Sequence, residues 1–123
     1  MYARAALAYR DVNLESADKA DVVTRLFARF LQDVARGRTA IGGRDVAGKA
    51  AALDHAIRIV VELRAALDHV AAPELCANLD ALYQYVLDQI YAASSSMTVA
   101  PLDVATAVMG ELRDAFVGAG RRP

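Results

Sequence analysis

The stretch Asn78 to Ala93, NLDALYQYVLDQIYAA, limits this chain more than any other. Leu79, Leu82, Tyr83, Val86, Leu87 and Ile90 recur at three- and four-residue spacing, with Asp80, Gln84 and Asp88 kept off their line. At 100° per residue this is one unbroken apolar stripe along a helix. A helix with such a stripe is not stable alone in water and needs partner helices of similar length. Tyr85 and Tyr91 fall outside the stripe and are available for contacts other than the core.

The remaining chain supplies those partners. Asp18 reads as an N-cap, with Asp21 favoured by the dipole of the first turn. From there Val22, Val23, Leu26, Phe27, Phe30, Leu31, Val34 and Ile41 mark a helix to about Ile41, which Gly42-Gly43 should end. Gly37 lies near the middle of its apolar arc. It is either a point of close helix approach or a weak spot costing about 1 kcal/mol. The next helix runs from about Asp45 to His69. Leu53, Ile57, Val60 and Leu67 lie on one side, and Ala52, Ala56, Ile59 and Leu63 continue the surface around it. The resulting arc covers roughly 220°, with Asp54, His55, Arg58, Glu62 and His69 on a narrow polar strip. So wide an arc means either a central helix touching two neighbours or a groove left for another segment. Arg64 projects into this arc, so it must reach outward near the bundle's end or meet a carboxylate. Pro73 suits the first turn of the following helix, and Ser94-Ser95-Ser96 should break it. Pro101 opens the last helix, with the stripe Leu102, Ala105, Val108, Met109, Leu112, Ala115 and Phe116, ended by Gly118 and Gly120. With no strand signal anywhere, the prediction is an all-α, antiparallel four-helix bundle.

That bundle should span residues 18–118 of a single 123-residue domain, with residues 1–17 as a mobile N-terminal segment and 119–123 as a disordered tail. Residues 2–10 can form a short helix, but Tyr2, Leu7 and Tyr9 are too few to anchor it. It reads as a movable plug rather than a strut.

Composition narrows the function. Hydrophobic residues make up 56% of the chain and mean hydropathy is +0.23, which is apolar for a domain of this size. Alanine accounts for part of the excess; the rest suggests apolar surface held for a partner. Charged residues interrupt every apolar run before membrane-spanning length, and MYARAALAYRDV has no signal-peptide core, so stable membrane insertion is not expected and the location reads as cytoplasmic. A net charge of −1 argues against nucleic acid. Cys76 is the lone cysteine and reads as a buried thiol.

Catalytic and metal signals are weak. His55 and His69 are 14 residues apart, about 21 Å along one helix at 1.5 Å per residue, too far to share a metal. Both fall on the polar strip and read as solvated. No glutamate has a histidine three residues later, as a di-iron bundle requires. No glycine-rich phosphate loop follows a strand. The chain therefore reads as a non-enzyme without metal or cofactor.

Five elements in order then resemble the flagellin-specific export chaperones, the FliS family, over residues 1–117. Met1, Tyr2, Leu7, Ala8 and Tyr9, followed by VNLES at Val12 to Ser16, resemble the family's opening. SADKADVVTRLF, Ser16 to Phe27, is similar to its first long-helix start. AIRIVVELRAALD, Ala56 to Asp68, resembles its AxxIIxELxxxLD segment. Asn78, Leu79, Leu82, Tyr83 and Tyr85 match NLxxLYxY, and Leu112, Arg113 and Phe116 resemble its closing LRxxW. Asp18-Lys19 stands where the family has Ser-Pro, APELCANL replaces GGEIAxNL, and Phe116 replaces Trp. The resemblance implies a non-enzymatic cytoplasmic chaperone. Its partner would be the C-terminal region of flagellin, with the export gate as a further partner. The N-terminal segment would lie over the client groove when the chaperone is free. Candidate partner-binding residues are Leu7, Tyr9, Ile57, Val60, Val61, Leu67, Tyr83 and Tyr85. The alternative is a helical-bundle adaptor for another secretion substrate or a regulatory partner.

Overall fold

The apolar stripes become four helices in the computed structural model of the chain, which describes residues 17–120, with side chains over 21–117: α1 (Ala17–Gly42), α2 (Val46–Ala65), α3 (Pro73–Ser96) and α4 (Ala100–Gly120). Each sequential connection is short, so neighbours run antiparallel. The helices form a ring in which the backbone of α1 lies against those of α2 and α4, and that of α3 against those of α2 and α4; the diagonal pairs face one another only through core side chains. No strand occurs among the described residues.

The stripe that began the reading holds in phase. Leu79, Tyr83, Val86, Leu87 and Ile90 are buried and Leu82 is half-buried, while Tyr85 and Tyr91 are exposed. They meet Phe27, Phe30 and Val34 of α1, Leu53, Val60 and Leu63 of α2, and Leu102, Met109 and Leu112 of α4 in one core. The Phe27 and Phe116 rings close the gap between α1 and α4 at a centroid distance of 6.2 Å. Cys76 is fully buried, its Sγ donating to the Asp68 carbonyl at 3.3 Å.

The helix ends differ from the sequence reading in several places. The first helix already begins at Ala17, so Asp18 lies inside it rather than capping it. At its other end Asp45 N–H donates to Ala40 O (2.8 Å) and Arg44 N–H to Ile41 O (3.1 Å), a Schellman closure. The left-handed position in that closure is taken by Arg44 (φ 55°), and neither Gly42 nor Gly43 has positive φ. The second helix opens as its sequence suggests, with the Asp45 carboxylate accepting from Gly48 N–H at 2.9 Å. It stops at Ala65, four residues before the expected His69. Asp68 is the cause: its side chain accepts from Val70 N–H (3.1 Å) and Ala71 N–H (3.0 Å), a local turn that competes with helix continuation. Leu67, though off the helix, still folds into the core.

Pro73 is the first residue of α3, as predicted. Ser94 to Ser96 do not break that helix; they form its last turn. Ser96 Oγ donates back to Ala92 O at 2.6 Å, a bond that lets serine remain helical. The break falls at Met97, which adopts φ 53°. In α1 the ambiguity over Gly37 is resolved in favour of close approach: a Cβ there would lie 2.5 Å from Leu53 Cδ2. Val22, counted in the apolar stripe, is 47% exposed.

Candidate partner-binding surface

Leu7 and Tyr9 lie outside the described residues. Of the other six nominated residues, Val60 and Tyr83 are fully buried and Leu67 nearly so. Burial pushes the Tyr83 phenol above its ordinary pKa, because a phenolate there would be stripped of water. Ile57 is half-buried, whereas Val61 and Tyr85 are 55% and 46% exposed. Ile57 and Val61 sit seven and three residues before Arg64, so they share its flank of α2.

That flank faces α3. Arg64 Nε donates to Asp80 Oδ1 at 3.1 Å, and its Nη1 to Gln84 Oε1 at 3.2 Å. Gln84 in turn donates to Asp88 (3.0 Å), and Lys49 Nζ donates to the Ser94 carbonyl (3.0 Å). Arg64 thus stands close to the end of α2 and also finds its carboxylate. A polar ladder stitches the outer seam of α2 and α3, with Ile57 and Val61 on the same flank. Tyr91, seven residues past Gln84, shares that side of α3 and is 52% exposed. Tyr85 is two residues from core-facing Tyr83, about 200° around the helix, and points away from the bundle. The nominated residues therefore divide among the core, the α2–α3 seam and the outer face of α3.

The opposite seam, between α1 and α2, holds what the sequence reading missed. Asp33 is fully buried. Its Oδ1 accepts from Arg36 at 2.9 Å and lies 3.8 Å from Arg29 Nε, and its Oδ2 contacts Nδ1 of His55. His55 is accordingly not a solvated residue on a polar strip but an inter-helix partner of a buried carboxylate. A signal for this existed. Asp33 follows Phe30 by three and precedes Gly37 by four, and cations stand at minus four and plus three from it.

Above Asp33 a shallow furrow follows the outer seam of α1 and α2. One half is lined by Val22, Leu26 and Ile59, the other by small residues including Ala35, Ala40, Gly48 and Ala51; Arg29 and His55 border both halves. Asp45 and Glu62 lie near its two ends.

His69 extends toward Asp80, its Nε2 3.4 Å from Oδ2. The two histidines thus contact separate carboxylates on opposite seams, although His69 lies beyond the end of α2 rather than on it. Among the described residues no group of three or more His, Cys, Asp or Glu side chains is placed to hold a metal ion. None of the described helices is long and apolar enough to cross a membrane.

Comparison with known proteins places the chain in a family. The sequence matches the family described as flagellar protein FliS over residues 1–123. It is 30% identical over 123 residues to the flagellar secretion chaperone FliSB of Pseudomonas aeruginosa, covering 96% of this chain and 98% of that protein. It is 31% identical over 122 residues to the flagellar secretion chaperone FliS of Escherichia coli, covering 94% and 90%. The corresponding FliS of Vibrio cholerae is 26% identical over 106 residues, covering 86% and 78%. Buried stripes on four antiparallel helices and a match running from the first residue to the last lead to one conclusion: this chain belongs to the flagellar protein FliS family of secretion chaperones.

Proposed function

We propose that this protein is a cytoplasmic flagellar export chaperone that binds the C-terminal helical region of flagellin. It keeps that region from polymerising prematurely and delivers the subunit to the export apparatus, without catalysing a reaction. The observation that carries this reading is the family match across the whole chain. The surface is compatible with it: a shallow furrow and exposed Val61, Tyr85 and Tyr91 offer apolar contact of the kind used in helix-in-groove recognition. A client segment that is disordered when free would gain its helices on binding, and the bundle would supply the apolar surface that drives the ordering.

Titration calorimetry of the full chain with the C-terminal region of flagellin from the same organism tests the reading. One-to-one binding with a negative heat-capacity change is expected, since apolar area is removed from water. Absence of binding to every flagellin of that organism would refute it and favour an adaptor for another secretion substrate.

A further inference from the structure

We infer that the buried contact between Asp33 and His55 is a topology lock. It selects the direction in which the four helices turn around their core, and the register of α1 on α2, rather than adding stability. The lock is independent of what the bundle binds. Apolar stripes alone leave the choice open. Four antiparallel helices with short connections can circle a core in either direction, and both rings keep every stripe inward. What changes is which flank of each helix meets which neighbour.

α2 carries a different polar group on each flank. His55 and Arg64 are nine residues apart, about 180° around the helix, so they stand on opposite sides of the stripe Ala56, Val60 and Leu63. His55 Nδ1 meets Asp33 Oδ2 on α1, and Arg64 Nε meets Asp80 Oδ1 on α3 at 3.1 Å. In a ring turning the other way the stripe stays inward, but the His55 flank faces α3 and the Arg64 flank faces α1. Both contacts are then lost.

For Asp33 that loss is severe, because its carboxylate is fully buried. Arg29 and Arg36 lie on the same helix and accompany it in any arrangement, but both answer Oδ1 and stay 55% and 63% exposed. Oδ2 is answered across the seam by His55, whose Nδ1–H can donate with the ring neutral or charged. In the reversed ring Asp33 faces α4 instead. Phe27 beside Phe116 and Arg38 beside Asp103 put it level with about Met109. Arg113, the one basic residue of α4, stands about one turn away along the axis and is held by Asp114. Slipping α1 by one turn along α2 does no better, since Asp33 then lies beside Ala51 or Ile59. A buried carboxylate oxygen without a donor weighs against each alternative, while the correctly made pair adds little over apolar residues of the same shape.

The test is NMR and thermal melts of the full chain. Gly37 and Leu53 provide the marker: a Cβ on Gly37 would lie 2.5 Å from Leu53 Cδ2, so the Gly37 α-protons and that methyl give a nuclear Overhauser contact in the native ring. In the reversed ring Gly37, four residues from Asp33 on the same flank, faces α4. Asp33→Leu with His55→Leu should melt within about 4 °C of the wild-type chain or above it. It should also show a second set of peaks, populated to about 10% or more, that lacks the Gly37–Leu53 contact. His55→Leu alone leaves Asp33 without its cross-seam donor and should melt well below the double variant. Arg64→Leu with Asp80→Leu should keep one set, because these side chains are 33% and 31% exposed and water can replace either partner. A double Asp33, His55 variant with one set of peaks and the Gly37–Leu53 contact intact would show that apolar packing sets the hand. One that melts as low as His55→Leu, or does not fold, would show that the pair supplies stability instead. Either result overturns the lock.

Discussion

Gly37 and Gly110 both lie inside helices, yet replacing each with alanine should change stability in opposite directions. In a helix interior, alanine is favoured over glycine by about 1 kcal/mol through backbone entropy alone. At Gly110 nothing lies within 4 Å of the added Cβ, so Gly110→Ala should stabilise by about that amount. At Gly37 the new Cβ would sit 2.5 Å from Leu53 Cδ2 and 3.0 Å from Leu53 Cγ. Leu53 is 1% exposed and enclosed by the core, so it cannot swing out to make room. Forcing a methyl group into a packed site costs about 1–3 kcal/mol, and here the strain also pushes α1 from α2, loosening the Asp33–His55 contact. Set against the helix gain of about 1 kcal/mol, the net is a loss of up to about 2 kcal/mol. With an unfolding entropy of about 2.1 cal/mol/K per residue, each kcal/mol corresponds to about 4 °C in a chain of this length. Thermal melts by circular dichroism should therefore show Gly37→Ala falling by up to about 8 °C and Gly110→Ala rising by about 4 °C. A second check is the double variant: Gly37→Ala with Leu53→Ala should cost less than the sum of the two changes, because the truncated leucine accommodates the methyl. A rise in Tm for Gly37→Ala equal to that for Gly110→Ala would refute the reasoning.

Tyr83→Ala should cost about 3 kcal/mol or more, as for other buried aromatic truncations, whereas Tyr85→Ala should leave the melt nearly unchanged; equal losses would mean the helical phase is wrong. Because Tyr83 has a raised pKa in the folded state, its neutral form is favoured there. Its contribution is complete below the unfolded tyrosine value near pH 10 and is lost at about 1.4 kcal/mol per pH unit above it. Denaturant melts from pH 9 to 11 should show a shallower decline for Tyr83→Phe than for the wild-type chain. Arg44→Gly should stabilise by about 0.5 kcal/mol: relief of a left-handed non-glycine residue exceeds the entropy that glycine adds to the unfolded chain. A lower melting temperature for Arg44→Gly would show that the arginine side chain contributes more than its backbone conformation costs.

Much of the bundle was legible in the residues because helix periodicity is a property of the local backbone. Three- and four-residue spacing separated buried Tyr83 from exposed Tyr85, a proline marked the start of α3, and burial of Cys76 followed from its place beside the stripe. Helix ends were less legible, since they turn on competition among short-range hydrogen bonds. Asp68 diverts the chain after α2, while Ser96 returns its hydroxyl to the helix and keeps α3 intact through the serine run. Lateral pairing was decided only in three dimensions. Whether Gly37 was a weak spot or a contact depended on Leu53 lying opposite it. The same side-by-side approach of α1 and α2 placed His55 against Asp33 and opened the furrow above them. A single helix records which of its faces is apolar; which neighbour meets that face, and at what distance, depends on how all four helices share one core.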